Sequence, residues 1–405
     1  MAHDRRWLYL AVLARSLATG LIGVLLGITL AARDLPAGTV GLIVGLGLAG
    51  AALATTLVTF GADRIGHRRC LVAITALTVV GAIALAISTS PWALGLAAFI
   101  GMVNGMGRDR GAALVIEQAA LPATGSDAER TMTFARYNVL QDIGHAVGSL
   151  LAGVPALLDH FAGIAPDAAQ RNALWLYALL CAVPLIGYAR LSAAIEAPRV
   201  RKSVTLTPES RRTLTRISAL FAIDAVGGGF LTTALLSYFF YERFGIDANQ
   251  IGLLFFVARI ANAASHFAAA WLARRIGLVN TMVFTHIPSS VLLLTVPFMP
   301  DFHTAALLFL LRESLVEMDV PTRQSYVMAV VRPEERTFAS GITHLVRLAG
   351  WAVAPAFAGL LMAGRSIATP IYVGAAMKIF YDLALWRAFR AVRPPEEISP
   401  RRPRP

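Results

Sequence analysis

Apolar residues run through this chain in long, nearly unbroken blocks, not at the two-residue or 3.6-residue spacing of elements with one wet face. With turn and charge signals as boundaries there are twelve blocks, at roughly 7–32, 38–61, 70–90, 92–118, 132–158, 173–193, 216–241, 249–273, 278–298, 303–330, 337–363 and 369–390. A helix of about 20 mostly apolar residues crosses a hydrocarbon layer ~30 Å thick, whereas barrel strands would be ~10-residue alternating segments. The pattern predicts an all-α integral membrane protein with twelve transmembrane helices. Connections are short except near the middle. This predicts a six-helix bundle over 1–194, a cytoplasmic linker over 195–215, a second bundle over 216–390 and a basic disordered tail over 391–405. The first block, beginning near Trp7, is too long for a signal peptide and lacks a small-residue cleavage pattern.

Composition agrees. Of the 405 residues 57% are hydrophobic and 15% charged, against about 25% charged in soluble domains, and the mean hydropathy is +0.64. An ordinary soluble enzyme is excluded. Cys70 and Cys181, the two cysteines, build neither a disulfide scaffold nor a thiolate metal site. The formal net charge is 36 − 24 = +12, but the basic residues stand in short clusters between blocks instead of the continuous patch of a nucleic-acid binder. Counted by loop, 22 Arg or Lys fall on one side and 4 on the other. The positive-inside rule then puts both termini and the central loop in the cytoplasm, where the basic edge also attracts anionic lipid heads.

The sequence repeats once. Ala37 to Gly66 aligns without a gap onto Ala248 to Gly277, each opening AxxxGL and closing Arg-Ile-Gly. Glu129-Arg130-Thr131 matches Glu335-Arg336-Thr337, and Gly144 then matches Gly350. Six spans per repeat place both halves the same way up, an arrangement that allows two bundles to rock about a central site. Across the same repeat, with a two-residue gap, Asp109 falls on Glu317.

After the second block stands Gly61-Ala62-Asp63-Arg64-Ile65-Gly66-His67-Arg68-Arg69. This resembles the loop between helices 2 and 3 of the major facilitator superfamily, with Thr59, Gly61 and His67 departing from the pattern and Arg274 at the Asp position of the second half. The chain is thus similar throughout to a twelve-span, 6+6 pseudo-two-fold transporter of bacterial type. The resemblance implies a gating latch from Asp63, Arg64, Gly66 and Arg68, with the helix opening at Arg336 as partner. It also implies export against protons, although the Gly-Pro signature of antiporters is not matched by Gly144 to Gly148.

An ionisable residue inside a span is costly and faces a partner or a cavity. The fourth span carries Arg108, Asp109 and Arg110, and the fifth Arg136, Asp142 and His145. Asp224 lies in the seventh, and Arg259, Asn262 and His266 form one face of the eighth. The tenth holds Arg312, Glu313, Glu317, Asp319 and Arg323, the eleventh His344 and Arg347, and the twelfth Lys378 and Asp382. Midplane guanidiniums need an anion, so Arg259, Arg312 and Arg347, with Asn262, His266 and His344, are the candidate substrate site. Glu317, then Glu313, Asp142 and Asp109, are the proton-coupling candidates, because buried carboxylates hold protons. Arg108 and Arg110 fit either a gate or local pairing. His145, His266, His286 and His344 suit a proton relay or ordinary polar packing, and none has tight metal-ligand spacing.

These features predict a secondary active transporter of the inner membrane. Its predicted partners are a small polar, anionic or zwitterionic solute, protons and membrane lipids; it is predicted to be a monomer that uses no cofactor or metal and binds no nucleic acid. No phosphate-binding loop for ATP is present, and no catalytic constellation marks an enzyme. A multidrug exporter with structurally paired arginines, a proton-coupled importer and a non-transporting sensor are the alternatives.

Overall fold

A computed structural model of the chain describes residues 2–124, 130–196, 207–329 and 335–389. Among them are sixteen α-helices and no strand. The first three, α1 (Ala2–Ala31), α2 (Ala37–Ile65) and α3 (His67–Ile87), are continuous spans. The fourth span is split into α4 (Pro91–Gly101) and α5 (Ala112–Ala120), and the fifth into α6 (Arg130–Leu151) and α7 (Val154–Ala162). Next come α8 (Pro166–Ala189) and a seventh span split into α9 (Pro208–Gly229) and α10 (Thr233–Phe244). Beyond these lie α11 (Ala248–Ile276) and α12 (Leu278–Thr295). A split tenth span, α13 (Phe302–Val316) and α14 (Asp319–Ala329), precedes α15 (Arg336–Gly364) and α16 (Thr369–Phe389). The predicted disordered tail and much of the linker lie outside the described residues.

Among the described residues, eight of the predicted spans are long and apolar enough to cross a membrane, the α9–α10 pair counted as one. The other four are the split fourth, fifth and tenth and the charged twelfth. The expectation of continuous helices at 92–118, 132–158, 216–241 and 303–330 is therefore corrected. Two of these breaks follow from proline, which lacks an amide and clashes with the carbonyl four residues back. Pro155 places that clash at Leu151, where α6 ends, and Pro321 places it at Glu317, just past the end of α13. The fourth span unwinds over a glycine-rich stretch in which Gly107 takes a φ of +67°, and the seventh breaks after three consecutive glycines.

Contacts divide the chain into two compact units. One comprises Met1–Arg201, Gly229–Arg259 and Trp351–Pro370. Its core gathers Leu8, Leu71, Leu121, Tyr137 and Tyr188, all fully buried. Gly27 of α1 lies so close to α10 that a Cβ would stand 2.0 Å from the Ala234 carbonyl oxygen. In this unit, segments from both sequence repeats therefore pack directly on one another. The other unit comprises Lys202–Gly228, Ile260–Gly350 and Ile371–Pro405, with a core of Ile217, Phe221, Tyr326 and Tyr381. The repeat is visible in the packing. A Cβ at Gly144 of α6 would meet Ser16 and Leu13 of α1, and at its repeat mate Gly350 of α15 would meet Ala225 of α9.

Candidate functional site

In the first unit the polar interior is organised by the unwound stretch between α4 and α5. Its backbone amides and carbonyls have lost their helical partners and must find others. The Asn104 side chain takes two of them, donating to the Arg108 carbonyl at 2.6 Å and accepting from the Met106 amide at 2.9 Å. From the start of α10, the Thr233 hydroxyl donates to the Met106 carbonyl at 2.8 Å and the Ala234 amide to the Gly105 carbonyl at 3.0 Å. The Asp109 amide donates to His145 Nε2 of α6 at 2.9 Å. That nitrogen must be unprotonated to accept, which leaves Nδ1 as the donor of a neutral His145 ring.

Against this stretch sits Arg15 of α1, a residue the sequence reading passed over. Its Nε lies 2.5 Å from Asp109 Oδ2, its Nη2 2.7 Å from Glu117 Oε2 and its Nη1 2.5 Å from the Tyr188 hydroxyl. Glu117 is fully buried and also accepts from the hydroxyls of Tyr137 at 2.5 Å and Tyr188 at 2.6 Å. A carboxylate is tolerated at such depth only when paired and hydrogen-bonded in this way. A signal for Arg15 existed, since it stands inside the first apolar block, whereas Glu117 stood at a predicted helix end and gave none. Around the break, Arg108 and Arg110 are half-buried, the latter with its guanidinium 4.4 Å from the centre of the Trp351 ring. Arg259 of α11 donates to the Thr233 hydroxyl at 3.1 Å. Four guanidiniums (Arg15, Arg108, Arg110, Arg259) thus stand on or against this stretch, and the carboxylates of Asp109 and Glu117 are both bound to Arg15. Arg108, Asp109 and Arg110 were expected on a helix and lie on the unwound segment instead.

In the second unit, Asp224 of α9 is the hub. Lys378 of α16 reaches it at 3.0 Å, Arg347 of α15 at 2.9 Å and Arg323 of α14 at 3.4 Å. Arg323 also pairs with Asp319 one turn away. His286 of α12 lies 2.9 Å from Asp382 and 3.4 Å from Lys378. Three cations here match three carboxylates. A separate cluster has Glu313 accepting from Asn262 at 2.7 Å and from the adjacent Arg312. Glu317 is half-buried at the α13–α14 break, in the position that the repeat aligns with Asp109.

The predicted anion site is thereby distributed. Arg259 belongs to the first unit, and Arg312 and Arg347 to the second, each of these two against a carboxylate of the protein. His266 and His344 are half-buried, and Asp142 is exposed. Of the predicted latch, the side chains of Asp63 and Arg336 lie outside the described residues, and Arg64 is exposed. Gly66 turns the chain with a φ of +105°. The α3 N-terminus is capped by Glu196, which accepts from the His67 amide at 2.6 Å and the Arg68 amide at 3.3 Å. Arg68 in turn donates to the Ala189 carbonyl at 2.5 Å. This turn is therefore tied to the end of the sixth span. No group of three potential metal ligands occurs among the described residues.

Broken helices with buried charge, repeated in two halves of one chain, are the architecture of secondary transporters. The sequence profile of the Major Facilitator Superfamily matches residues 8–316 and again 217–405, and the chain belongs to that family of membrane transporters; it is not an enzyme. An uncharacterized membrane protein of Saccharomyces cerevisiae is 24% identical over 425 residues, covering 96% of this chain and 95% of its own. A yeast relative matching end to end leaves the expected bacterial type without support. Among solved structures, the nucleoside transporter NupG superposes with a TM-score of 0.75 at 14% identity, covering 96% of this chain and all of that one. A bacterial homolog of the human lysosomal transporter Spinster, in an inward-facing and unoccupied conformation, gives 0.73 at 16% identity, covering 96% and 98%. At such identities the likeness is one of fold.

Proposed function

We propose that this transporter moves a small polar anion or zwitterion by alternating access, outward in exchange for protons, across an inner membrane with both termini cytoplasmic. The observation that carries the substrate class is the gathering of four guanidiniums on and against the unwound stretch of the fourth span. A site meant for hydrophobic cations would gather carboxylates instead. Arg259 is the first residue of the binding set, with Asn262 and His266 further along α11. Arg312 and Arg347 bind substrate only by exchanging a protein carboxylate for one of the substrate, a difference that would couple binding to rearrangement, and His344 precedes Arg347 by one turn of α15. Glu317 is the coupling acid, with Glu313, Asp142 and Asp109 behind it. It stands where a helix is already interrupted, so movement of the break changes its exposure to water and with it the cost of its charge.

The test begins with a ligand-stability screen of the purified chain across organic anions, zwitterions and hydrophobic cations. Stabilisation by anions or zwitterions is expected, and stabilisation by the cations alone would overturn the substrate class. With a ligand in hand, proteoliposomes carrying the parent or Glu317→Gln are compared for substrate-dependent proton flux. The variant mimics a permanently protonated acid, so binding persists while proton-driven accumulation is lost. Undiminished flux in the variant removes Glu317 from the mechanism.

A further inference from the structure

The first turns of α9 carry a charge pattern that neither the fold nor the transport pathway uses. Pro208, Arg211, Arg212, Thr215 and Arg216 follow the i, i+3, i+4, i+7, i+8 spacing of one helix face. All five are exposed, and together they line a shallow cavity of about 510 Å³. The opposite face drives Leu214, Ile217 and Phe221 into the core of the second unit, which fixes the basic face outward. No carboxylate pairs with any of the three guanidiniums among the described residues. Glu209 flanks the stripe without bonding to it. The preceding residues 197–206 add Arg199, Arg201 and Lys202 and no acid.

Like charges four apart on a helix repel, and the positive end of the helix dipole adds to the repulsion. An anion in front of this face relieves both. Its level identifies the anion. The apolar run of the seventh span begins at Ile217, so at ~1.5 Å per residue the three arginines occupy the zone just outside the hydrocarbon, where lipid phosphates lie. We propose that this face is a binding site for the phosphate headgroup of an anionic membrane lipid. The guanidinium fork accepts a phosphate through two parallel hydrogen bonds, and the lipid would anchor the start of α9, the helix that carries Asp224, to the membrane surface.

The full chain is titrated in detergent with phosphatidylglycerol, with phosphatidylcholine and with inorganic phosphate, following its thermal unfolding and, by native mass spectrometry, its bound lipids. Saturable binding and stabilisation by phosphatidylglycerol alone are expected. The triple variant Arg211→Gln/Arg212→Gln/Arg216→Gln should bind it roughly fivefold more weakly for each arginine removed. Replacing all three by Lys should keep most of the effect. Removing two charges elsewhere, in Arg274→Gln/Arg275→Gln, should keep it entirely. Unchanged unfolding of the triple variant in phosphatidylcholine separates loss of the site from loss of the fold, and Arg216→Gln alone, roughly fivefold weaker, serves if the triple variant fails to fold. Parental affinity in the triple Gln variant, or in Arg216→Gln where that one replaces it, overturns the assignment. So does a full stabilisation by inorganic phosphate, which would mark a soluble anion as the ligand.

Discussion

Arg15 is central to the polar interior of the first unit, because one guanidinium answers two buried carboxylates and a tyrosine hydroxyl. Arg15→Ala removes the guanidinium to which both Asp109 and Glu117 are bonded. Breaking a buried ion pair from one side costs about 3–5 kcal/mol, so the variant should show a clear drop in thermal unfolding temperature or fail to accumulate. Arg15→Lys should recover less than half of that loss, since a single ammonium cannot reproduce the planar fork. A parental unfolding temperature for Arg15→Ala would show the cluster to be dispensable. Gly107 makes a second residue-scale prediction. Its backbone is left-handed, and a Cβ there would sit 2.7 Å from the Thr233 hydroxyl and 2.8 Å from Arg259. Gly107→Ala should cost at least ~1–2 kcal/mol, read as a lower denaturation midpoint with the span count unchanged.

At the scale of the element, the decisive features are the breaks. The α13–α14 interruption has an identifiable cause in Pro321, so Pro321→Ala should let an amide at 321 donate to the Glu317 carbonyl and draw the two helices into one. The expected result is a protein that unfolds at a higher temperature and exchanges its amides near 317–322 more slowly. Under the proposed coupling role of Glu317 it should also transport more slowly. Unaltered exchange would mean that packing, not proline, holds the break open. The breaks also explain why the charges were read on the wrong scaffold. Apolar content alone makes 92–118 look like one helix. Only the demand of Asn104, Thr233 and His145 for the freed backbone groups shows where it unwinds.

For the whole molecule, alternating access requires that contacts between the repeats form and dissolve. Gly41 of α2 stands where a Cβ would approach the Pro355 carbonyl to 2.3 Å and Gly359 to 2.6 Å. Gly41→Leu should therefore preserve each helix yet exclude this closed contact, and the measurement is vesicle transport beside yield and unfolding temperature. A severalfold slower rate at unchanged yield is expected, while a parental rate would show that the contact is not part of the cycle. The long-range match of Gly144 with Gly350 makes the same point from the opposite direction. Both sit at helix crossings of the same kind, α6 on α1 and α15 on α9, so the duplication read from a few residues was a duplication of packing.

The sequence by itself determined that this is a helical membrane protein built from two like halves, because a bilayer forces every backbone group to be satisfied within its own segment. Length and apolarity are then sufficient evidence. It also held the causes of two breaks, in Pro155 and Pro321, and the list of charges that had to find partners. It could not say which partners. Arg347 meeting Asp224, Asn262 meeting Glu313 and Arg15 meeting Glu117 depend on the rotation and depth of helices far apart in the chain. Those are set by close packing at a handful of small residues. Charge inside a membrane is legible one residue at a time, whereas its neutralisation is a property of several helices at once, and only the tertiary structure fixes them together.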